Sequence, residues 1–225
     1  MKEHKLKPKS NTQRAVEELR QLIFSGELPA GSDHLESELA ERLGMSRTPV
    51  REAALTLEGQ GLLELRPRKG VRILPVSADD MRDVYDVLTE LESLAAENAA
   101  RHGYAEADLV ELSRAMTDMD RALETRDLEA WAEADDRFHA ELVILGGNSR
   151  VIGIAAMMSD QVRRARATTL YMRPLPTQSN DDHRGVLSAI RAGRPEDART
   201  LHRAHRQQAK AMIIGLLEKH KLHRL

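Results

Sequence analysis

The chain contains no cysteine, so neither a disulfide framework nor a thiolate metal site is open to it. Aromatic residues make up only 3% of its 225 residues, and Trp131 is the single tryptophan. A core must therefore be built mainly from Ala, Leu, Val, Ile and Met, which suits helices. No apolar run approaches the roughly 18 residues that a membrane span requires. The basic stretch Met1 to Ser10 has no apolar h-region, so neither a span nor a secretory signal is expected and the cytoplasm is the expected compartment. A large excess of one charge is also lacking, because the formal net charge is −2. Residues 1–74 carry 13 Lys and Arg against 11 Asp and Glu. Any affinity for nucleic acid must come from local clusters and not from overall charge.

The clusters lie in residues 39–58, LAERLGMSRTPVREAALTLE. This run reads as two short helices joined by a tight turn. Leu39, Ala40 and Leu43 share one face of the first helix, and Gly44 supplies the positive φ that ends it. Ser46 suits the N-cap of the second helix, and Pro49 falls in its first turn, where a missing N–H costs little. Val50, Ala53, Ala54 and Leu57 form its buried stripe, leaving Arg47, Thr48 and Arg51 outside, near the N-terminus. A recognition helix carries its base and phosphate contacts there. Beyond Gly61, residues 62–65 and 71–74 read as strands around a turn at 66–70. Arg66, Arg68, Lys69 and Arg72 make four of the seven residues 66–72 basic, and Gly70 lets the tip come close to a phosphate or a minor groove.

A second domain starts near Ser77, whose spacing to Asp80 resembles an N-terminal capping box. Helical periodicity predicts helices over 78–102, 105–126, 128–146, 149–171, 180–193 and 194–218. The expected fold is mainly α: an N-terminal winged helix-turn-helix over 1–75, then an antiparallel bundle of about six helices over 76–225. In the first bundle helix the core face is Val84, Val87/Leu88, Leu91 and Leu94/Ala95. Polar residues occupy core positions further on. Asp135 and His139, one turn apart, share a stripe with Trp131, Phe138 and Leu142. His183 heads Val186, Leu187 and Ile190, while His205 sits with Leu201, Ala209 and Met212/Ile213. Singly, each histidine reads as a hydrogen-bonded or surface residue. Jointly, three imidazoles and a carboxylate are a donor set for a divalent first-row metal.

Residues 23–75 resemble the winged-helix domain of the GntR superfamily of bacterial transcription regulators. The resemblance is carried by Ile23, Gly26, Leu28-Pro29, Gly31, Leu35, Leu39-Ala40, Leu43-Gly44, the run from Ser46 to Ala53, Leu57-Glu58, Gly61-Leu62 and Gly70. It implies DNA contacts from Ser46, Arg47, Thr48, Arg51, Lys69 and Gly70. Ser37 stands where some relatives carry an arginine, so that contact does not transfer.

Residues 76–217 resemble the all-helical FCD domain of FadR-type members. The matching pieces are Leu91-Glu92, Ala95-Ala96, Ala99-Ala100, Asp135, Phe138-His139, Asn148, His183, Leu187, Ala189-Ile190, Gly193, Ala198 and His205. This resemblance implies a divalent metal held by Asp135, His139, His183 and His205, with zinc or nickel favoured in vitro. His202 reads as a structural or outer residue. An octahedral ion with four protein ligands keeps two positions for water or a small carboxylate. The arginine that some relatives use to grip that carboxylate is replaced by Leu88. Arg164 and Thr168 are the candidate substitutes, and Arg163 and Arg166 are read as surface residues.

The expected function is a homodimeric transcription regulator that binds a palindromic operator and responds to a small organic acid. Two alternatives stand beside it: a metal-dependent hydrolase or lyase carrying a DNA-binding domain, and a regulator whose metal is purely structural. For the enzyme, only Asp136 and Glu141 lie near the ligands as candidate bases, and their spacing points both elsewhere.

Overall fold

The computed structural model describes residues 10–220; the basic N-terminal stretch read above lies outside them up to residue 9. The chain divides between Pro75 and Val76 into two compact units.

The first unit opens with a helix not anticipated from the sequence, α1 (Asn11–Phe24). Ser10 and Gln13 cap it reciprocally, each side chain accepting from the other's backbone N–H at 3.1 and 2.9 Å. A short strand, β1 (Asp33–His34), was also missed; two residues carry no alternation to read. The helices α2 (Glu36–Arg42) and α3 (Arg47–Gly59) follow, joined through Gly44 at φ +61°. The wing strands are β2 (Leu63–Arg66) and β3 (Gly70–Ile73). The antiparallel sheet runs β1-β3-β2, with Leu63 opposite Ile73, Arg66 opposite Gly70 and Asp33 opposite Arg72. Leu19 of α1, Val50, Ala53, Ala54 and Leu57 of α3 and Leu63 and Ile73 of the sheet close one apolar core. The buried stripe of α3 is therefore the one read from its spacing.

The second unit contains six α-helices among the described residues: α4 (Ala78–His102), α5 (Val110–Thr125), α6 (Leu128–Leu145), α7 (Ser149–Thr169), α8 (Thr177–Arg191) and α9 (Pro195–Lys219). Ser77 caps α4 by accepting from the Asp80 N–H at 3.3 Å. The α5 helix starts later than its periodicity suggested, because residues 106–109 form a turn. The α7 helix tightens into a 3-10 turn at Leu170–Met172, where Pro174 and Pro176 prevent continuation. None of the described helices is long and apolar enough to cross a membrane.

Two apolar clusters fill this unit. One contains Ala96, Leu112, Phe138, Val186, Ile190 and Ala198. The other contains Met81, Tyr85, Leu88, Val162, Ile213 and Leu217. On α4, Glu92 falls between Leu88 and Ala96; on α9, His202, His205 and Arg206 fall between Ala198 and Ile213. A polar layer thus lies where the clusters meet. The stripe read around His205 needs correction, since Leu201 and Met212 are 41% and 42% exposed while Ile213 is buried. Val87 is likewise exposed, and Leu88 takes the core position.

Candidate functional site

In the first unit, Ser46, Arg47, Thr48 and Arg51 are all exposed at the start of α3. Ser46 occupies the N-cap with extended backbone, but its hydroxyl makes no capping hydrogen bond. Arg47 and Arg51 each lie 3.8 Å from a carboxylate oxygen of Glu36. Exposed pairs at that length are weak, so the guanidinium groups are aligned and not locked. A concave surface is lined by Glu36, Arg47, Arg51, Arg66, Arg68 and Gly70, bringing the recognition arginines and the wing together.

The wing differs from its sequence reading in two respects. Asp33 of β1 pairs with Arg66 at 3.2 Å and Arg72 at 3.4 Å, leaving Arg68 and Lys69 as the charged tip. Gly70 is demanded by the sheet itself: it has φ +86°, and a Cβ there would stand 2.2 Å from the His34 carbonyl oxygen.

In the second unit, α6, α8 and α9 bring Asp135, His139, His183 and His205 together, with one ligand atom from each inside a mutual separation of 4.8 Å. Asp135 and His183 are fully buried, and His139 and His205 are 7% and 5% exposed. His183 Nε2 lies 3.3 Å from His139 Nε2 and 3.4 Å from Asp135 Oδ1. His139 Nε2 is 3.8 Å from the same oxygen. Two of the remaining ring nitrogens face outward to carboxylates: His205 Nδ1 to Asp182 Oδ2 at 3.3 Å, and His139 Nδ1 to Glu92 Oε2 at 3.2 Å. Such outer carboxylates fix the tautomer that leaves Nε2 for a metal. Phe138 packs edge-on against His183 with centroids 4.4 Å apart and fixes that ring's plane.

The electrostatics favour neutral rings at His183 and His205 and a charged carboxylate at Glu92. Burial, reinforced by His205, His139 and His202, pushes His183 well below the ordinary histidine range. Burial lowers His205 to about 4, although the Asp182 hydrogen bond opposes it. For Glu92 burial acts upward, but Arg206, His139 and His202 together outweigh it and hold the carboxyl well below the usual carboxylate range. Burial raises Asp136 to about 6 against the opposing pull of Arg163.

The donor set fits a divalent ion. Neither Asp135 oxygen, though fully buried, accepts an aligned hydrogen bond, and His183 Nδ1 also lacks a partner. Metal–ligand bonds of about 2.0–2.2 Å place ligand atoms about 3–4 Å apart, the range seen among Asp135, His139 and His183. His202 belongs to an adjoining group with Glu92 and His139, its Nε2 3.4 Å from His139 Nδ1 and 3.5 Å from Glu92 Oε2.

Arg164 and Thr168, the candidate effector contacts, lie on α7 outside the four-residue group. Thr168 is exposed and donates to the Arg164 carbonyl at 2.9 Å. Arg166, read as a surface residue, is 8% exposed: it pairs with Asp135 and reaches Asp136 at 3.0 Å. Glu92, Asp182 and Arg206 were given no role by sequence reasoning. Glu92 was legible as an interruption of an apolar stripe, with Leu88 and Ala96 around it. Asp182 and Arg206 precede or follow a cage histidine directly and carry no such signal. Asp136 is drawn to Arg163 at 3.2 Å and to Arg166, as expected for a residue one position off the ligand face.

Among known proteins, residues 11–73 match the model for bacterial regulatory proteins of the gntR family, and residues 83–208 match the FCD domain. A helix-turn-helix transcriptional regulator from the TAR-I ttuE-ttuC' intergenic region of Agrobacterium vitis is 41% identical over 57% of this chain and 77% of its own length. A probable D-xylose utilization operon transcriptional repressor of Paenarthrobacter nicotinovorans is 30% identical over 77% of this chain and 76% of its own. The solved structure of E. coli McbR/YncC shares the fold with a TM-score of 0.76 at 23% identity, over 92% of this chain and 98% of that one. The two sequence relatives are a transcriptional regulator and a probable transcriptional repressor.

Proposed function

The chain belongs to the GntR family of bacterial regulatory proteins, with an FCD domain behind its DNA-binding domain, and from that premise we propose a metal-dependent, acid-responsive regulator. It binds a palindromic operator as a homodimer, because a two-fold dimer matches a two-fold site. Arg47 and Arg51 read base edges and phosphates from α3, Ser46 and Thr48 hold the backbone, and Lys69 and Gly70 bring the wing to the minor groove. Asp135, His139, His183 and His205 hold one divalent ion, zinc or nickel in vitro. When bound, the ion supplies Lewis-acid attraction for the carboxylate of a small organic acid.

The observation that carries this reading is the buried convergence of Asp135, His139, His183 and His205, with one ligand atom from each inside a mutual separation of 4.8 Å. A buried carboxylate costs roughly several kcal/mol unless a cation compensates it. Arg166 reaches Asp135 Oδ2 and keeps the metal-free cage from holding an uncompensated charge. Asp182 and Glu92 orient His205 and His139. Phe138, packed edge-on against His183, shields one side of the site. The acid then shifts operator affinity only as far as it binds one bundle packing better than another. Repression of a catabolic operon is the sign of control suggested by the Paenarthrobacter relative.

Operator-binding titrations on metal-stripped and zinc-reloaded protein, with and without a panel of organic acids, test the proposal. Stripped protein should bind operator yet ignore every acid, with circular dichroism showing the helices intact. An undiminished acid response after stripping would assign the metal a purely structural role.

A further inference from the structure

The exposed face of α3 carries one large apolar side chain. Leu55 is 53% exposed, whereas Val50, Ala53, Ala54 and Leu57 of the same helix are buried in the core of the first unit. At about 3.6 residues per turn Leu55 lies roughly 20° from Thr48, two turns further along, so it shares the face of Thr48 and Arg51. Glu36, Arg47, Thr48, Arg51, Glu52 and Leu55 line one open concavity, and the leucine is thus continuous with the arginine surface.

The acidic groups around Leu55 are held by other partners. Thr12 of α1 donates to Glu52 Oε2 at 2.6 Å and draws that carboxylate toward α1. Glu36 stands between Arg47 and Arg51, 3.8 Å from a nitrogen of each. In the major groove a base pair presents a single apolar group, the C5 methyl of thymine; everything else at its edge is a hydrogen-bond donor or acceptor. A leucine pressed on the cytosine N4 amine or the guanine O6 would cover a polar atom without satisfying it. Leu55 on this face therefore favours thymine and disfavours the other bases.

We propose that Leu55 is a specificity-determining residue of operator recognition, its side chain packed on the methyl of one thymine in each half-site. The inference rests on the DNA-binding reading above and deepens it: Arg47 and Arg51 supply polar contacts, and Leu55 adds an apolar reader on the same helix. Leu55 is four residues beyond Arg51, about 6 Å along the helix axis. Each strand of the duplex rises about 3.4 Å per nucleotide, so the thymine falls within about three base pairs of the one under Arg51.

Full-length wild-type protein is used to select duplexes from a random-sequence pool, and the selected duplex is the probe. Deoxyuridine then replaces each thymine in turn, which removes the methyl and keeps the Watson–Crick pairing. Anisotropy titrations at fixed salt should find one thymine per half-site, within about three base pairs of the pair at which Arg51→Ala ceases to discriminate, where the wild type loses at least about threefold in affinity for the uracil duplex. Leu55→Ala should bind the thymine and uracil duplexes equally at that position, and Leu55→Met should keep most of the preference, with wild-type helicity in both. A wild type indifferent to uracil at every position, or a uracil penalty undiminished in Leu55→Ala, would overturn the inference. Altered sedimentation of Leu55→Ala with the thymine preference intact would also overturn it, by assigning the residue to a contact between copies of the chain. A pool that yields no enriched duplex would overturn operator recognition and this inference with it, whereas an enriched duplex without a methyl effect overturns the inference alone.

Discussion

His139 and His183, 44 residues apart in sequence, meet with their Nε2 atoms 3.3 Å from each other. At most one proton fits between two such nitrogens, and a second would set like charges side by side in an apolar bundle. The pair is thus built to present lone pairs. Asp135 Oδ1 adds a third polar atom 3.4 Å from His183 Nε2, so the three groups face one point, as the proposed ligand set requires.

The outer carboxylates should matter almost as much as the ligands. Asp182→Asn removes the charge behind His205, and Glu92→Gln removes the charge behind His139. Each should weaken zinc binding by about 10–100-fold, read by competition with a fluorescent chelator. Wild-type affinity in both variants would show that the imidazoles are oriented by packing alone.

Operator recognition should depend on α3. Arg47→Ala and Arg51→Ala should each cost ~1–3 kcal/mol of specific binding at fixed salt, measured by fluorescence anisotropy. Glu36→Gln should change affinity less, because its pairs with both arginines are exposed and 3.8 Å long. Unchanged operator affinity in both arginine variants would remove α3 from the interface.

Gly70→Ala should distort the wing, since the added methyl meets the His34 carbonyl oxygen at 2.2 Å and the residue must keep φ +86°. The expected cost is more than about 1 kcal/mol, confined to the first unit. Calorimetry should show the melting transition of that unit lowered and operator affinity reduced, with zinc binding intact. Normal melting of both units would mean that β1 yields easily.

Acid should destabilise the metal-free protein. His205 has a folded pKa of about 4, against ~6.5 when unfolded, so the unfolded chain binds its proton first. Stability from this group is therefore full above pH ~6.5 and is lost as pH falls toward 4. Between pH 7 and pH 5 it loses about 2 kcal/mol, with His183 adding in the same direction. Thermal melts of stripped protein should show Tm falling over that interval. A flat profile would mean that the histidines are solvated.

Much of this was legible in the sequence because the signals are local. The spacing of Val50, Ala53, Ala54 and Leu57 defined the α3 face, and Ser77 and Asp80 marked the start of α4. Asp135 and His139 shared a stripe one turn apart, and His183 headed another. What escaped depends on contacts between distant elements. Asp33 neutralises wing arginines through a two-residue strand, and Gly70 is required by that strand's backbone. Arg206 lies next to a cage histidine, but its burial against Tyr85 follows from helix packing and from no periodicity along α9. Arg166, two residues from Arg164 and from Thr168, turns inward to Asp135, which its position alone did not show.

The central claim is the four-residue metal cage, and isothermal titration of zinc into stripped protein tests it most directly. Wild-type protein should bind one ion per chain, and His183→Ala and His205→Ala should each weaken that binding by at least about 100-fold, with helicity unchanged by circular dichroism. Tight zinc binding that survives in both variants, or no binding by the wild type, would contradict the account.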